Sequence, residues 1–169
     1  MDYKQRRHRL KRALRRRNID ALLVSQPDNR RYLSGFTSHD HAISESSGVL
    51  YIPSHGTSLL LTDFRYRLQA EQETDMPVRI YSKGMISLLT RLLSASEVQR
   101  FGFESHYTLH SASLEYDKIQ RKKNIEFVPL IGLVERMRVV KSEDEIDLIR
   151  ASVKLNEKVF QEFFPQISP

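Results

Sequence analysis

The chain has 169 residues, 40% of them hydrophobic, which suffices for one ordinary domain with a real core and leaves no room for two full ones. It has no cysteine, which excludes disulfide staples and thiolate chemistry; no apolar run approaches the roughly 20 residues that span a bilayer, and the N-terminus lacks a secretory apolar core, so a soluble cytoplasmic protein is expected. The net charge of +6 sits in one place: residues 4–17, KQRRHRLKRALRRR, hold nine Lys or Arg and no acid, and the other 18 basic and 21 acidic side chains leave the body at −3.

That basic segment comes first in the chain. Leu10, Ala13 and Leu14, with Tyr3 earlier, give it a narrow apolar stripe, which predicts a helix lying on the domain with its arginines in water. No aromatic interleaving or known binding module accompanies the charge, so nucleic acid is not expected as a partner. Asp2 and the lack of serine argue against a mitochondrial presequence. Asn18 suits a left-handed helix stop, and IDALLV (19–24) is an apolar run long enough for a buried strand that Pro27 and Asp28 break. NRRYLS (29–34) makes one or two helical turns ended by Gly35. The polar segment 37–47, TSHDHAISESS, has no helical stripe and is expected to be an exposed loop.

GVLYIP (48–53), the turn SHGT (54–57) and SLLLT (58–62) read as a hairpin of two apolar runs around a Gly-containing connection. DFRYRLQAEQE (63–73) has helical composition, with Phe64, Leu68 and Gln72 spaced by four. Beyond it, VRIYS (78–82) is strand-like, MISLLTRLLSA (85–95) helical, RFGFE (100–104) strand-like, residues 108–122 helical with Leu114, Tyr116 and Ile119 apolar, and IEFVPL (125–130) a last strand. Strands and helices alternate after an opening hairpin over short connections, which predicts an α/β fold with one sheet covered by helices.

No metalloprotease, nucleophile-elbow, P-loop or dinucleotide motif is present. His39, Asp40 and His41 are the nearest thing to a metal cluster, but two imidazoles without a fixed third ligand bind metal poorly, and no metal site is expected. Asp63 at a strand end can cap the next helix. Arg65 offers a planar fork for a carboxylate and Tyr66 a donor on a rigid ring, which suits recognition of a peptide end, while a structural Arg–Asp pair accounts for Arg65 equally well.

Residues 134–151, VERMRVVKSEDEIDLIRA, lead into a long helix. Ser142 and Glu145 have capping-box spacing, and Glu143 and Asp144 suit the positive end of the helix dipole. Ile146, Ile149, Val153 and Phe160 fall on one face, with Leu148, Leu155 and Val159 beside it, up to Phe163, Phe164 and Pro165. So wide an apolar surface, on a helix roughly 30 Å long, must fold back on its own core or meet a domain beyond the chain.

The same segment resembles the seam V-x-x-x-R-x-x-K-S-x-x-E-I that opens the catalytic domain in the Xaa-Pro peptidase family (aminopeptidase P, prolidase) and in its relative creatinase. Val134, Arg138, Lys141, Ser142, Glu145 and Ile146 fit it. IDALLVSQPDNRRYLSGF (19–36), LLLTDFRYRLQAEQE (59–73) and RFGFE (100–104) resemble further motifs of that family in the same order. The resemblance implies a mixed sheet with a ribonuclease-H-like arrangement of helices over residues 1–133, and a linker and first helix over 134–169 leading into an absent catalytic domain. It implies a hydrolase whose two divalent metal ions belong to that domain, leaving no cofactor, catalytic residue or metal ligand in this chain. Its N-terminal domains contribute dimer contact and part of the substrate entrance. Tyr32, Phe36, His39 and His41 match that region, with Arg65 and Tyr66 as further substrate-access residues, although Tyr32, Leu33 and Phe36 suit a core equally. The partners implied are the protein's own catalytic domain, a second copy of the chain and a proline-containing peptide. Creatinase-like amidine hydrolysis by the parent, or a free-standing binding module, stands as the alternative.

Overall fold

The computed structural model describes residues 1–40, 42 and 44–167, so His41 and Ile43 of the polar loop lie outside the described residues. The chain falls into two compact units, one covering Asp2–Glu135 and the other beginning at Arg136 and including Met1.

In the first unit, α1 (Tyr3–Arg15) precedes β1 (Ala21–Val24), α2 (Pro27–Ser34), β2 (Val49–Pro53) and β3 (Leu59–Thr62). A 3-10 turn (Phe64–Tyr66) then leads into α3 (Arg67–Glu73), β4 (Val78–Ile80), α4 (Met85–Ser94), β5 (Arg100–Glu104), α5 (His110–Lys123) and β6 (Glu126–Leu130). The six strands form one sheet in the order β4-β3-β2-β1-β5-β6. Only β2 runs antiparallel to its neighbours. The five-strand run β3-β2-β1-β5-β6 is the ribonuclease-H-like arrangement, with β4 added at one edge.

The central strand β1 is buried at all four positions, which explains its unbroken apolar sequence. Strand alternation divides the core between two faces. Ala21, Leu23, Tyr51, Leu61, Phe101 and Phe127 pack with Leu88, Leu89 and Leu93 of α4 and Tyr116 and Ile119 of α5. The paired positions Leu22–Ile52 and Leu50–Leu60 share the other face, on the side of α1, which contacts α2 and β2 and buries Leu10 and Leu14. Phe127 holds one end of the first face, stacked on Tyr116 at 5.2 Å and edge-on to Phe101 at 5.2 Å. Pro129 is tolerated in β6 because β6 is an edge strand. Gly102 in β5 leaves the space that Leu130 and Ile19 fill: a Cβ there would come within 2.8 Å of Leu130 and 3.2 Å of Ile19.

Several expectations are corrected. The arginines of α1 are not all in water: Arg6 and Arg7 are buried, because the last carbonyls of α2 have no partner within their own helix and these guanidiniums supply one. Arg6 donates to the Tyr32 carbonyl at 3.1 Å and Arg7 to the Leu33 carbonyl at 2.7 Å, and the Arg6 guanidinium lies 4.1 Å from the centre of the Tyr32 ring. Helix α2 starts at Pro27, whose missing N–H costs nothing in the first turn, with the Gln26 side chain accepting from the Asn29 amide. The four-residue spacing of Phe64 and Leu68 does not mark a core face, since they are 78% and 72% exposed and Ala70 is the residue α3 buries. Leu114 of α5 is exposed as well.

The seam contains a short helix that the sequence pattern did not reveal, α6 (Leu133–Val139), which buries Leu133 and Val134. Helix α7 (Glu143–Phe163) follows with the expected capping box, both of its reciprocal bonds being formed. No residue of α7 is buried. Among the described residues, no helix is long and apolar enough to cross a membrane.

Candidate functional site

Helix α2 is where the polar interior of the first unit converges. At its N-terminus the backbone leaves β1, and the amides of Ser25 and Gln26 both donate to Glu104 Oε2 at 2.7 Å. Glu104 ends β5, the parallel neighbour of β1, so the sheet register delivers its carboxylate to the end of the helix where the dipole favours negative charge. Asn29, fully buried one turn on, donates through Nδ2 to Glu104 Oε1 at 2.7 Å and to Glu135 Oε1 at 2.6 Å. His106 Nε2 lies 3.0 Å from the same Glu135 oxygen. Burial pushes the Glu104 carboxyl above its ordinary 4.5, against the downward pull of the Gln26, Asn29 and Ser25 donors and with help from the Glu135 charge. Burial also works upward on Glu135, but the Asn29 bond, a backbone bond and His106 outweigh it and hold that group low.

The next residue along α2 organises the polar loop. Arg30 is fully buried, and its guanidinium donates to the Ser38 carbonyl at 2.7 Å, Ser47 Oγ at 2.8 Å and Asp40 Oδ1 at 3.0 Å, and also to the Gly48 carbonyl. Asp40 accepts in turn from the Ser47 amide at 2.8 Å. The segment expected to be an exposed loop is therefore anchored from within: the Asp40 side chain is only 5% exposed. Its start is tied too, since Thr37 donates its amide and hydroxyl to Glu73 at 2.7 and 2.8 Å.

A cleft of about 420 Å³ opens beside these networks, lined among others by Ser25, Asp40, Ser46, Val49, Tyr107 and Tyr116. Burial pushes the Tyr116 hydroxyl up to about 12 and raises Tyr107, so both rings present neutral phenols at neutral pH. The cleft can therefore offer hydroxyl donors and an apolar wall to a ligand. Among the described residues, no three His, Cys, Asp or Glu side chains are gathered so as to hold a metal ion, so the donor set here does not fit a two-metal centre.

Of the described residues singled out from sequence, Asp40 lines this cleft, and Tyr32, Phe36, His39, Arg65 and Tyr66 are not among its lining. Phe36 is fully buried with Arg30 5.5 Å from its ring centre, and Tyr32 is buried under Arg6, so both take core positions. His39 is exposed, and His41 lies outside the described residues. Asp63 caps the turn after β3 by accepting from the Arg65 amide at 2.8 Å and pairs with the Arg65 guanidinium at 2.7 Å, and that bond holds the Asp63 carboxyl low. Arg65 also lies 5.3 Å from the Tyr66 ring centre. Asn29, Arg30, Glu104 and Glu135 were not singled out at all. Asn29 and Glu104 stood inside motifs used for the family resemblance, but nothing in the sequence brings position 29 to position 104.

The profile of the Creatinase/Prolidase N-terminal domain matches residues 6–140. The chain belongs to this family. Among relatives of this creatinase/prolidase domain, an uncharacterized peptidase, YqhT, from Bacillus subtilis is 26% identical over 152 residues, 89% of this chain and 40% of the relative. The chain spans about two fifths of the length of the curated relatives it matches. A Xaa-Pro dipeptidase from Bacillus anthracis superposes with a TM-score of 0.86 at 25% identity, over 99% of this chain and 44% of that one. The N-terminal domain of a cytoplasmic peptidase, PepQ, from Mycobacterium tuberculosis is 34% identical with a TM-score of 0.67, covering 78% of this chain and 97% of that domain.

Proposed function

We propose that this creatinase/prolidase domain is the non-catalytic N-terminal part of a Xaa-Pro metallopeptidase of the aminopeptidase P or Xaa-Pro dipeptidase kind. It would contribute to dimer assembly and to the route by which a proline-containing peptide reaches a catalytic domain outside this chain, where two divalent metal ions would activate water. The observation that carries this reading is the family match over 6–140 in a chain that spans about two fifths of its peptidase relatives. The geometry supports it. The buried carboxylates and arginine around α2 bond chiefly to backbone amides and carbonyls, a use that fixes loops. Of the substrate-access residues expected from sequence, His39 and Arg65 are exposed, the latter held by Asp63, and Tyr66 is half-buried.

The test is an assay of the purified chain with Mn²⁺, Co²⁺ or Zn²⁺ and a Xaa-Pro dipeptide, following release of free proline. No release above a protein-free blank is expected. Release proportional to chain concentration and abolished by a chelator would place catalysis in these residues and overturn the proposal.

A further inference from the structure

A second cleft, unrelated to the one beside α2, lies where α1 meets the β2–β3 turn and the approach to β4. It has a volume of about 190 Å³ and is lined by Lys4, Arg7, His8 and Lys11 of α1, together with Gly56, Ser58 and Asp75. Positions 4, 7, 8 and 11 are one helix face, so the sequence stacks its cations along a single wall. Asp75 is the one acid on that wall, and both of its oxygens are taken at 2.7 Å by Arg7 Nη2. Lys4, Arg7 and Lys11 against Asp75 leave a surplus of two positive charges.

One contact marks this surplus as more than a solvated helix face. Lys11 is drawn in from solvent to donate to the Gly56 carbonyl, and burial, followed by repulsion from Arg7 and Arg15, pushes its ammonium below the ordinary 10.5. A lysine held there without a counter-anion is unfavourable, and the remaining N–H groups of Lys11 are available to an acceptor.

We infer that this cleft is a binding site for a phosphate group, either inorganic phosphate or a small phosphate monoester, held by Lys4 and Lys11 beside the Arg7–Asp75 pair. A phosphate monoester dianion carries about −1.5 to −2 charges at neutral pH and three strong acceptor oxygens, which matches the surplus, whereas a carboxylate neutralises half as much.

The experiment is calorimetric titration of inorganic phosphate into the chain at constant ionic strength. Saturable one-to-one binding is expected, weakened about tenfold or more in the Lys4→Gln/Lys11→Gln double variant by the loss of two charge-assisted bonds. Arg12→Gln/Arg16→Gln, exposed residues off this face, should change nothing. Methyl phosphate should compete as inorganic phosphate does, with the same dependence on residues, and acetate should not. The proposal is overturned by the absence of saturation, by unchanged affinity in the Lys4/Lys11 double variant, by equal loss in the Arg12/Arg16 control, or by acetate competing as well as phosphate.

Discussion

Glu104 and Arg30 are buried charges of opposite sign, and α2 meets each with a different kind of partner. Glu104 takes the amides that a helix start leaves free, and Arg30 takes loop carbonyls and one carboxylate. Replacing Glu104 with Gln keeps an acceptor for the Ser25 and Gln26 amides but turns an NH₂ toward Asn29 Nδ2, donor facing donor. Where Glu104 is protonated this should cost about 1–3 kcal/mol, the price of one unsatisfied buried group. Because the folded carboxyl is raised above 4.5, the advantage of wild type over Glu104→Gln is fully present below that pH and shrinks as pH rises through the folded value, where only wild type must carry the buried anion. Urea unfolding of both proteins across the acid-to-neutral range measures this. A gap that widens with pH would mean that the amide donors dominate burial. None of it was legible from composition: Asp63 could be read as a cap because its partner is two residues away, while Glu104 bonds residues 78 and 79 positions earlier in the chain.

At the scale of elements, the features readable from sequence are those whose cause is local. The left-handed stops at Asn18 and Gly35 and the Ser142–Glu145 capping box each depend on a few consecutive residues, and each is present. The hairpin of β2 and β3 is equally local, with two apolar runs around one turn. Exposure of an amphipathic face is not local, which is why the spacing of Phe64 and Leu68 does not say which side of α3 is buried and why the places of Arg6 and Arg7 depend on where α2 ends. Gly102 shows the same division: in sequence it is a glycine in a strand, and its reason lies in Leu130 and Ile19. Substituting Gly102→Ala puts a methyl 2.8 Å from Leu130 Cδ1 at the junction of β1, β5 and β6. The Leu130 side chain can yield, but the strand spacing leaves Ile19 at 3.2 Å and Leu22 at 3.3 Å. The expected loss is about 1–3 kcal/mol, the usual range for overpacking, read from the denaturant midpoint with unchanged slope. A variant as stable as wild type would show that the β5–β6 edge adjusts freely.

For the molecule as a whole, the sheet carries its own core on both faces, whereas α7 carries an apolar face and buries none of it. Leu148, Ile149, Val153, Leu155, Val159, Phe160, Phe163 and Phe164 are all exposed, with Phe160 and Phe164 stacked on each other at 5.1 Å. Burying such a side chain fully contributes about 1.5–3 kcal/mol, so a handful of them exceeds what associating two chains needs. The capping box and the acidic first turn stabilise α7 as a helix, so the face is presented ready-formed and without an ordering cost at the moment of contact. Concentration-dependent self-association of the chain is therefore expected, and sedimentation velocity over a concentration series measures it. Val153→Glu with Phe160→Glu, seven residues and about two turns apart on the same face, should shift the chain to monomer without moving the unfolding midpoint of the sheet unit, because neither residue belongs to its core. If the double variant associates as wild type does, contacts outside α7, such as exposed Phe64 and Leu68, must carry the assembly. If wild type is monomeric at every concentration, the stacked Phe160–Phe164 pair and its neighbours do not suffice to hold two chains together.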